Sequence, residues 1–217
     1  MNNNQILNKY QRSKYDDSDD SIFYSSPRFV HHLDKGFRNK LTNLYRERIP
    51  NDSVILDLMS SWVSHLPDIK YKKVIGHGLN QEELDNNPKL DTFWVQNLNK
   101  NQLLPLEEKS IDFCLIVAGW QYLQYPELVS SEILRIIKPN GRLIISFTNR
   151  AFWNKSPNIW VDSNEDERVF YISKILRANG WCIDEIISNN KSSEQKFLSF
   201  LSKNSDPFYS IISKPNF

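Results

Sequence analysis

Short apolar runs alternate with amphipathic stretches along most of the chain. Apolar residues from Phe37 to Ile49 recur at helical spacing between lysines and arginines, which predicts an amphipathic helix that stops at Pro50. Further runs bounded by turn-forming residues predict strands, because each is short and rich in Val, Ile and aromatic residues. These predicted strands are Val54–Asp57, Lys73–Gly76, Thr92–Val95, Ile111–Val117, Arg142–Phe147, Trp181–Ser188 and Phe208–Ser213.

Helical segments separate most of these strands. Asn80 is a candidate cap for a helix over Gln81–Asn86, a second helix opens at Pro126, and a third covers Glu165–Asn179. Pro139-Asn140-Gly141 predicts a sharp turn before the fifth strand. Alternation of strands and helices predicts an α/β fold: a mostly parallel seven-stranded sheet with helices on both faces and an antiparallel C-terminal edge hairpin.

The ends of the chain differ from its middle. Residues 1–20 are polar, of mixed charge and without periodicity, so they are predicted to form a disordered tail. Residues 21–217 are predicted to form a single domain, in which the polar stretch 189–206 connects the last two strands. No internal repeat is present.

Composition and charge exclude several classes of protein. Charged residues make up 24% of the 217 residues and the net charge is +1, so no overall field favours nucleic acid or an anionic membrane. No apolar run approaches the ~20 residues of a membrane span. Cys114 and Cys182 lie in apolar runs and are interpreted as reduced thiols, which favours the cytoplasm.

The ends of the predicted parallel strands carry the candidate chemistry. In such a sheet, ligands bind beyond the carboxyl ends of the strands where the strand order reverses. Each apolar strand here is followed by a polar, Gly-containing or aromatic segment: Asp57–Ser61, Gly76–Asn80, Asn97-Leu98, Ala118–Tyr122 and Thr148–Arg150. These segments are therefore predicted to form one site.

Several motifs resemble the class I S-adenosylmethionine-dependent methyltransferases. The segment Leu104–Phe147 follows that superfamily's order of Leu-Pro, acidic turn, Asp-led strand, helix, Lys-Pro and strand, with Pro139-Asn140-Gly141 in place of Pro-Gly-Gly. More narrowly, PRFVHHLD and LDLMSSWVSHLP are similar to a methyltransferase type 11-like subfamily of cyanobacteria and plastid-bearing organisms. The resemblance implies a Rossmann-like methyltransferase fold and S-adenosylmethionine as cofactor.

The resemblance also assigns cofactor-binding positions, not all of which carry the usual residues. Asp57 matches the acidic residue of the first motif, but Met59 and Ser61 stand where glycines are usual. Gly78 stands where the superfamily has a carboxylate for the ribose, and Asn97 fits the residue that contacts the adenine amine. The implied cofactor-binding set is Asp57, Met59, Ser60, Ser61, Gly78, Leu79, Asn80, Asn97, Leu98 and Ala118.

Substrate and catalytic positions are less constrained. The segment before the first helix often covers the cofactor in the resembled enzymes, and groups after the fourth and fifth strands often face the substrate. The implied substrate-binding residues are Arg28, His32, Gln121, Tyr122 and Arg150. His65 and His77 are candidate bases because imidazole titrates near neutral pH. His31-His32 has no partner at metal-ligand spacing, so no metal site is predicted.

Two functions remain open from the sequence. The first is an enzyme that transfers a methyl group from S-adenosylmethionine to a small, aromatic or apolar acceptor. No Asn-Pro-Pro-Tyr or Asp-Pro-Pro-Tyr follows the fourth strand and no basic patch is present, which disfavours a nucleic-acid substrate. The alternative is a catalytically degenerate protein of the same fold that binds a ligand or protein partner. The altered glycine motif and the missing ribose carboxylate motivate that alternative.

Overall fold

The computed structural model describes residues 6–188 and 206–216, which are built around one seven-stranded sheet. The predicted polar connection 189–206 therefore lies outside the described residues, apart from Asp206. The strands are β1 (Val54–Asp57), β2 (Lys73–Gly78), β3 (Thr92–Val95), β4 (Ile111–Val117), β5 (Ile137–Phe147), β6 (Trp181–Ser188) and β7 (Tyr209–Pro215).

The sheet order is β3-β2-β1-β4-β5-β7-β6. The first five strands in this order pair in parallel, and β7 pairs antiparallel with both β5 and β6. The order reverses between β1 and β4, so the carboxyl ends of these two strands flank the crevice that open α/β sheets use for ligands. The predicted fold class is confirmed, including the antiparallel C-terminal hairpin.

Helices cover both faces of the sheet. They are α1 (Lys9–Arg12), α2 (Asp20–Phe23), α3 (Lys35–Arg48), α4 (Gln81–Asp85), α5 (Pro126–Ile136), α6 (Asn158–Val161) and α7 (Glu165–Ala178), with 3-10 turns at Trp120–Tyr122 and Trp153–Lys155. No helix in the described ranges is long and apolar enough to cross a membrane.

Alternate strand residues feed two apolar clusters, one on each face. Ile55 and Leu115 pack with Phe37 of α3, whereas Leu56 and Ile116 belong to the cluster that includes α5 and α7. All four strand residues are fully buried. The near-continuous apolar runs of β1 and β4 follow from this burial on both faces.

Three strands begin or end outside their predicted limits, and one of them, β7, ends at Pro215 instead of Ser213. β2 continues to Gly78 because Gly76, His77 and Gly78 pair with β3. β5 begins at Ile137, which pairs with Ile111, and the register then shifts before Arg142. Pro139-Asn140-Gly141 therefore lies in an irregularity within β5, so the prediction of a sharp turn ahead of the strand is wrong.

The prediction of disorder is wrong for residues 6–20. Leu7 is buried and its backbone N–H donates to Glu127 Oε1. Arg12 pairs with the same carboxylate at 2.7 Å. The segment is ordered because its polar groups pair with Glu127 of the domain, and hydrophobic periodicity does not predict such contacts. Residues 1–5 lie outside the described part of the chain.

Candidate functional site

A cavity of about 450 Å³ lies at the carboxyl ends of the parallel strands. Such a volume is typical of small-molecule and cofactor sites. Residues from every predicted strand-end segment line it, together with the chain that precedes α3. The lining includes all the sequence-predicted candidates: Arg28, His32, Asp57, Met59, Ser60, Ser61, His65, His77, Gly78, Leu79, Asn80, Asn97, Leu98, Ala118, Gln121, Tyr122 and Arg150.

The turn after β1 contains no glycine, but one of its residues has the left-handed backbone conformation that glycine favours. Met59 has φ 62°, in the left-handed region that side chains disfavour. Its N–H donates to His77 Nδ1 at 3.1 Å, and the N–H of Ser60 donates to the His77 carbonyl. Two hydrogen bonds to β2 thus hold Met59 in this conformation.

The bulky side chains of this turn leave the cavity open. Met59 packs against Gly119, where an added Cβ would lie 2.8 Å from the Met59 Cβ, so the glycine makes room for it. Trp62 turns toward the segment before α3, stacks on His31 with ring centroids 4.8 Å apart, and donates to the Val30 carbonyl. Neither side chain fills the cavity that remains between the strand ends.

Asp57 is a buried carboxylate on the cavity wall, only 3% exposed. The Ser60 hydroxyl donates to its Oδ2 at 2.6 Å. Burial raises the pKa of Asp57 to about 6, against the lowering effect of hydrogen bonds from Ser60 and Ser64. Asp57 is therefore mainly ionised at neutral pH and suited to a cationic group.

The two candidate bases, His77 and His65, differ in whether their ring nitrogens are already hydrogen-bonded. His77 is buried: its Nδ1 accepts from Met59, and its Nε2 lies 2.9 Å from the Gln96 carbonyl. Because a carbonyl can only accept, Nε2 carries the proton and the ring is neutral. Burial lowers the pKa of His77 to about 4. Both nitrogens are thus occupied, which argues against the predicted role as a base.

His65 also lines the cavity, and its ring makes no hydrogen bond within the described residues. Burial, followed by the nearby Arg38 and His31, lowers the pKa of His65 to about 4. Its backbone has φ 54°. The imidazole is therefore neutral at neutral pH and its nitrogens are free, although the lowered pKa makes it a weaker base than an ordinary histidine.

Glu83 is a cavity residue that the sequence analysis missed. It is 8% exposed and receives hydrogen bonds from the Ser61 hydroxyl at 2.5 Å and from the Arg28 N–H at 2.7 Å. At Gly78 a Cβ would lie 2.6 Å from the Ser60 carbonyl oxygen, so a carboxylate side chain cannot occupy that position. Glu83, five residues later, brings a carboxylate to the same wall. Its position in the first turn of α4 follows from the Asn80 cap.

The two candidate asparagines are largely engaged by the protein. The Asn80 side chain caps α4 through the Glu83 N–H and donates to the Tyr24 and Ser25 carbonyls. Asn97 donates to Asp19 and accepts from the Asn99 N–H. Asn80 therefore positions the N-terminal segment, which makes direct cofactor contact through its amide unfavourable. Asn97 keeps one free lone pair on its amide oxygen.

Another part of the cavity wall is formed by aromatic side chains around an arginine. Arg28 lies over the Phe23, Tyr24 and Phe152 rings, with its guanidinium carbon 4.6, 5.5 and 5.8 Å from their centroids. Tyr122 stacks on Phe152 and its hydroxyl accepts from the Phe152 N–H. We call Tyr24, Arg28, Tyr122 and Phe152 the aromatic wall.

The other predicted substrate residues lie around this wall. Gln121 is buried and donates to the Arg150 carbonyl. Arg150 pairs through Nε with Asp206 at 2.6 Å. His32 is exposed at the edge and contacts the Phe152 ring edge-on. Within the described residues, no group of three His, Cys, Asp or Glu side chains could hold a metal ion.

The family comparison agrees with this geometry. Residues 60–145, less than half of the chain, match a family model described as a methyltransferase domain. Comparison with curated proteins gives no match.

Solved structures similar to this chain share its fold at low sequence identity. A chain of a Haloferax volcanii complex with the Trm112 methyltransferase activator has a TM-score of 0.59 at 15% identity, over 84% of this chain and 91% of that chain. The cyclase SpnF gives 0.58 at 14%, over 82% and 81%. Geranyl diphosphate C-methyltransferase from Streptomyces coelicolor A3(2) gives 0.53 at 12%, over 82% and 76%.

The sheet order and these likenesses define a Rossmann-like methyltransferase fold. Together with the domain match, they support the class I S-adenosylmethionine-dependent methyltransferase superfamily. The cyclase among the similar structures shows that this fold alone does not determine the reaction.

Proposed function

We propose that this protein binds S-adenosylmethionine and transfers its methyl group to a small-molecule acceptor. The observation that carries the proposal is the cavity of about 450 Å³ at the strand ends, which stays open although Met59 stands at a usual glycine position and Trp62 adds bulk to the turn. The left-handed backbone at Met59 preserves the shape that glycine would give the turn. The site therefore has both the position and the room that the cofactor needs.

The residues on the strand side of the cavity fit the polar groups of this cofactor. The Asp57 carboxylate suits an ammonium group. Glu83 has two of its four acceptor positions occupied by Ser61 and Arg28, so two remain for a pair of hydroxyls. Leu79 and Leu98 add apolar surface beside Asn97 for a planar base. When bound, the cofactor would supply a methyl group activated by its sulfonium charge.

The chain's own contribution to transfer is mainly to position the acceptor and exclude water from it. Tyr24, Tyr122 and Phe152 favour an aromatic or apolar acceptor, and Arg28, His32, Gln121 and Arg150 are the polar groups around them. If the acceptor must lose a proton, His65 is the proposed base, because its ring is neutral and its nitrogens make no hydrogen bond within the described ranges. His77 instead holds the turn.

Membership of the narrower cyanobacterial and plastid-type subfamily is also a proposal. The segments 27–34 and 56–67, which resemble the cyanobacterial and plastid-type subfamily, meet in the structure through the stacking of His31 on Trp62.

Both cysteines are free thiols, which supports a reducing compartment such as the cytoplasm.

A second candidate function is ligand binding without methyl transfer. It is favoured by one observation: the N–H groups of Met59 and Ser60 bond to His77 and are not available to a ligand. A protein of this kind would bind S-adenosylmethionine or another ligand and release it unchanged.

Titration calorimetry with S-adenosylmethionine and S-adenosylhomocysteine tests the cofactor proposal. We expect binding that weakens about tenfold or more, roughly 1.4 kcal/mol, in Asp57→Ala, within the range for a hydrogen bond to a charged group. Asp184→Ala is the matched control, because Asp184 pairs with Arg142 and Lys214 far along the sheet edge. No binding at millimolar ligand would refute the proposal.

Methyl transfer is tested separately, with methyl-labelled S-adenosylmethionine and a panel of small aromatic acceptors. Labelled product supports the enzyme, and cofactor binding without product from any acceptor supports the second candidate. In His65→Ala we expect about a hundredfold slower transfer with cofactor affinity nearly unchanged, if a base is needed.

A further inference from the structure

Arg28 differs from Arg150, the other arginine of the cavity wall, because its side chain has no charged partner. Asp20 pairs with Lys14, and Arg150 pairs with Asp206. Glu83 accepts the backbone N–H of Arg28, but no described carboxylate forms an ion pair with the Arg28 guanidinium. One cation on the cavity wall is thus left without a counter-charge.

The guanidinium is also incompletely hydrogen-bonded. Nη2 donates to the Phe23 carbonyl at 2.8 Å, whereas Nη1 is buried and has no hydrogen-bond partner within the described residues. Three aromatic rings, those of Phe23, Tyr24 and Phe152, lie within 6 Å of the guanidinium carbon. Leaving a buried donor of a charged group unpaired is unfavourable, so such groups usually have a partner in the functional state.

We propose that Arg28 binds a carboxylate of the ligand that occupies this cavity. A planar guanidinium between aromatic rings presents a rigid pair of N–H donors, which matches the two oxygens of a carboxylate. The carboxylate belongs either to the amino-acid end of the cofactor or to an acidic acceptor. The inference rests on the proposed function only in taking this cavity as the ligand site.

Calorimetry on the full chain distinguishes the two sources with three probes. These are S-adenosylhomocysteine, its decarboxylated analogue, and benzoate with and without saturating S-adenosylhomocysteine. Arg28→Met removes the guanidinium and keeps a long apolar side chain. Arg168→Met is the matched control, since Arg168 also lies over an aromatic ring, that of Trp160, but does not line the cavity.

We expect Arg28→Met to weaken binding of the carboxylate-bearing probe at least tenfold, and Arg168→Met to leave it unchanged. If S-adenosylhomocysteine loses affinity and the decarboxylated analogue does not, Arg28 binds the cofactor carboxylate. If S-adenosylhomocysteine binds normally and benzoate loses affinity, Arg28 binds an acidic acceptor. Arg28→Lys, which keeps the charge without the planar fork, should lie between wild type and Arg28→Met.

Two results overturn the inference. One is wild-type affinity of Arg28→Met for both S-adenosylhomocysteine and benzoate. The other is an equal loss for S-adenosylhomocysteine and its decarboxylated analogue with no loss for benzoate, which would show a role in shaping the wall alone. If Arg28→Met does not fold, the same criteria apply to Arg28→Lys.

The same data separate this inference from the proposed function. If the wild type binds S-adenosylhomocysteine and Arg28 has no effect, the inference fails and the cofactor proposal stands. If the wild type binds benzoate through Arg28 but does not bind S-adenosylhomocysteine, the cofactor proposal fails and the carboxylate site stands.

Discussion

The two walls of the cavity are built in different ways. On the strand side, Asp57, Met59 and His77 are held by hydrogen bonds between β1, its turn and β2. The aromatic wall is assembled from ring contacts between the N-terminal segment, the 3-10 turn after β4 and the loop after β5. The strand side thus depends on the sheet, whereas the aromatic wall depends on the docking of distant segments.

The walls also differ in charge. Asp57 and Glu83 are the buried carboxylates of the strand side, and Arg28 is the cation of the aromatic wall. A ligand with a cationic and hydroxylated end and an acidic or aromatic end would complement both. The difference suggests that ligand orientation is set by charge as well as by shape.

The largest expected effect on stability comes from substituting His77, which holds the turn on the strand side of the cavity. His77→Ala removes one hydrogen bond that holds the turn and one to the residue after β3, which leaves the Met59 N–H and the Gln96 carbonyl without these partners. We expect the free energy of unfolding to fall by about 3 kcal/mol, measured by urea denaturation. His31→Ala is the control, because His31 is exposed and should change stability by less than about 0.5 kcal/mol. Equal effects of the two substitutions would contradict the structural role of His77.

The pH dependence of the free energy of unfolding also tests whether His77 is buried and neutral in the folded protein. The pKa of His77 is about 4 in the folded protein, and about 6.5 is usual for histidine. Between these values the unfolded chain binds a proton that the folded protein does not, so stability falls as pH decreases from 6.5 to 4, by about 3 kcal/mol for this group. Above pH 6.5 its contribution is constant.

Asp57 acts in the opposite direction. Its pKa is raised to about 6, so the folded protein takes up a proton before the unfolded chain does, and stability rises as pH falls from 6 toward 4. Urea denaturation between pH 4 and 7.5 should therefore show a steeper acid decline in Asp57→Asn and a shallower one in His77→Gln. Parallel profiles for the wild type and both variants would show that neither group titrates as described.

The carboxylate of Glu83 tests whether the strand side binds hydroxyl groups of the cofactor. Glu83→Gln keeps the size and one carbonyl oxygen but removes the charge. We expect S-adenosylhomocysteine to bind about five- to tenfold more weakly, roughly 1 kcal/mol, by calorimetry. Glu82→Gln, the exposed neighbour in α4, is the control and should bind normally. Unchanged affinity in Glu83→Gln would leave Glu83 as a support for Ser61 and Arg28 only.

The smallest expected effect on stability comes from substituting Asn80, whose side chain connects α4 with the N-terminal segment. Asn80→Ala removes the cap of α4 and the hydrogen bonds to Tyr24 and Ser25, so stability should fall by about 1 kcal/mol. Amide hydrogen exchange should increase in residues 23–28. Exchange that changes only in α4 would show that ring contacts alone hold the N-terminal segment.

The sequence predicted the sheet and the position of the cavity better than the contacts within that cavity. Apolar runs such as Ile111–Val117 identify buried strands, and the topology then places their ends together. The role of His77 could not be predicted, because it depends on a hydrogen bond to a turn 18 residues away in sequence. Glu83 was missed because its residue type and helical position suit any exposed helix start.

The N-terminal segment was misjudged for a related physical reason. Its composition is that of a disordered tail, but Lys14 and Asp20 form a buried ion pair and the Lys155 ammonium donates to the Ser18 carbonyl. Hydrophobic patterns describe what a segment buries through apolar side chains, and this segment is fixed largely through polar ones.

The contact between Met59 and Gly119 has a consequence for sequence variation. Because the methionine occupies the space that a side chain at position 119 would need, the two positions should covary: homologues with glycine at 59 are free to carry a larger residue at 119. Conversely, Gly119→Ala in this chain should be tolerated only together with Met59→Gly. The volume of the crevice floor is thus shared between one side chain after β1 and one after β4, and either position can supply it but not both.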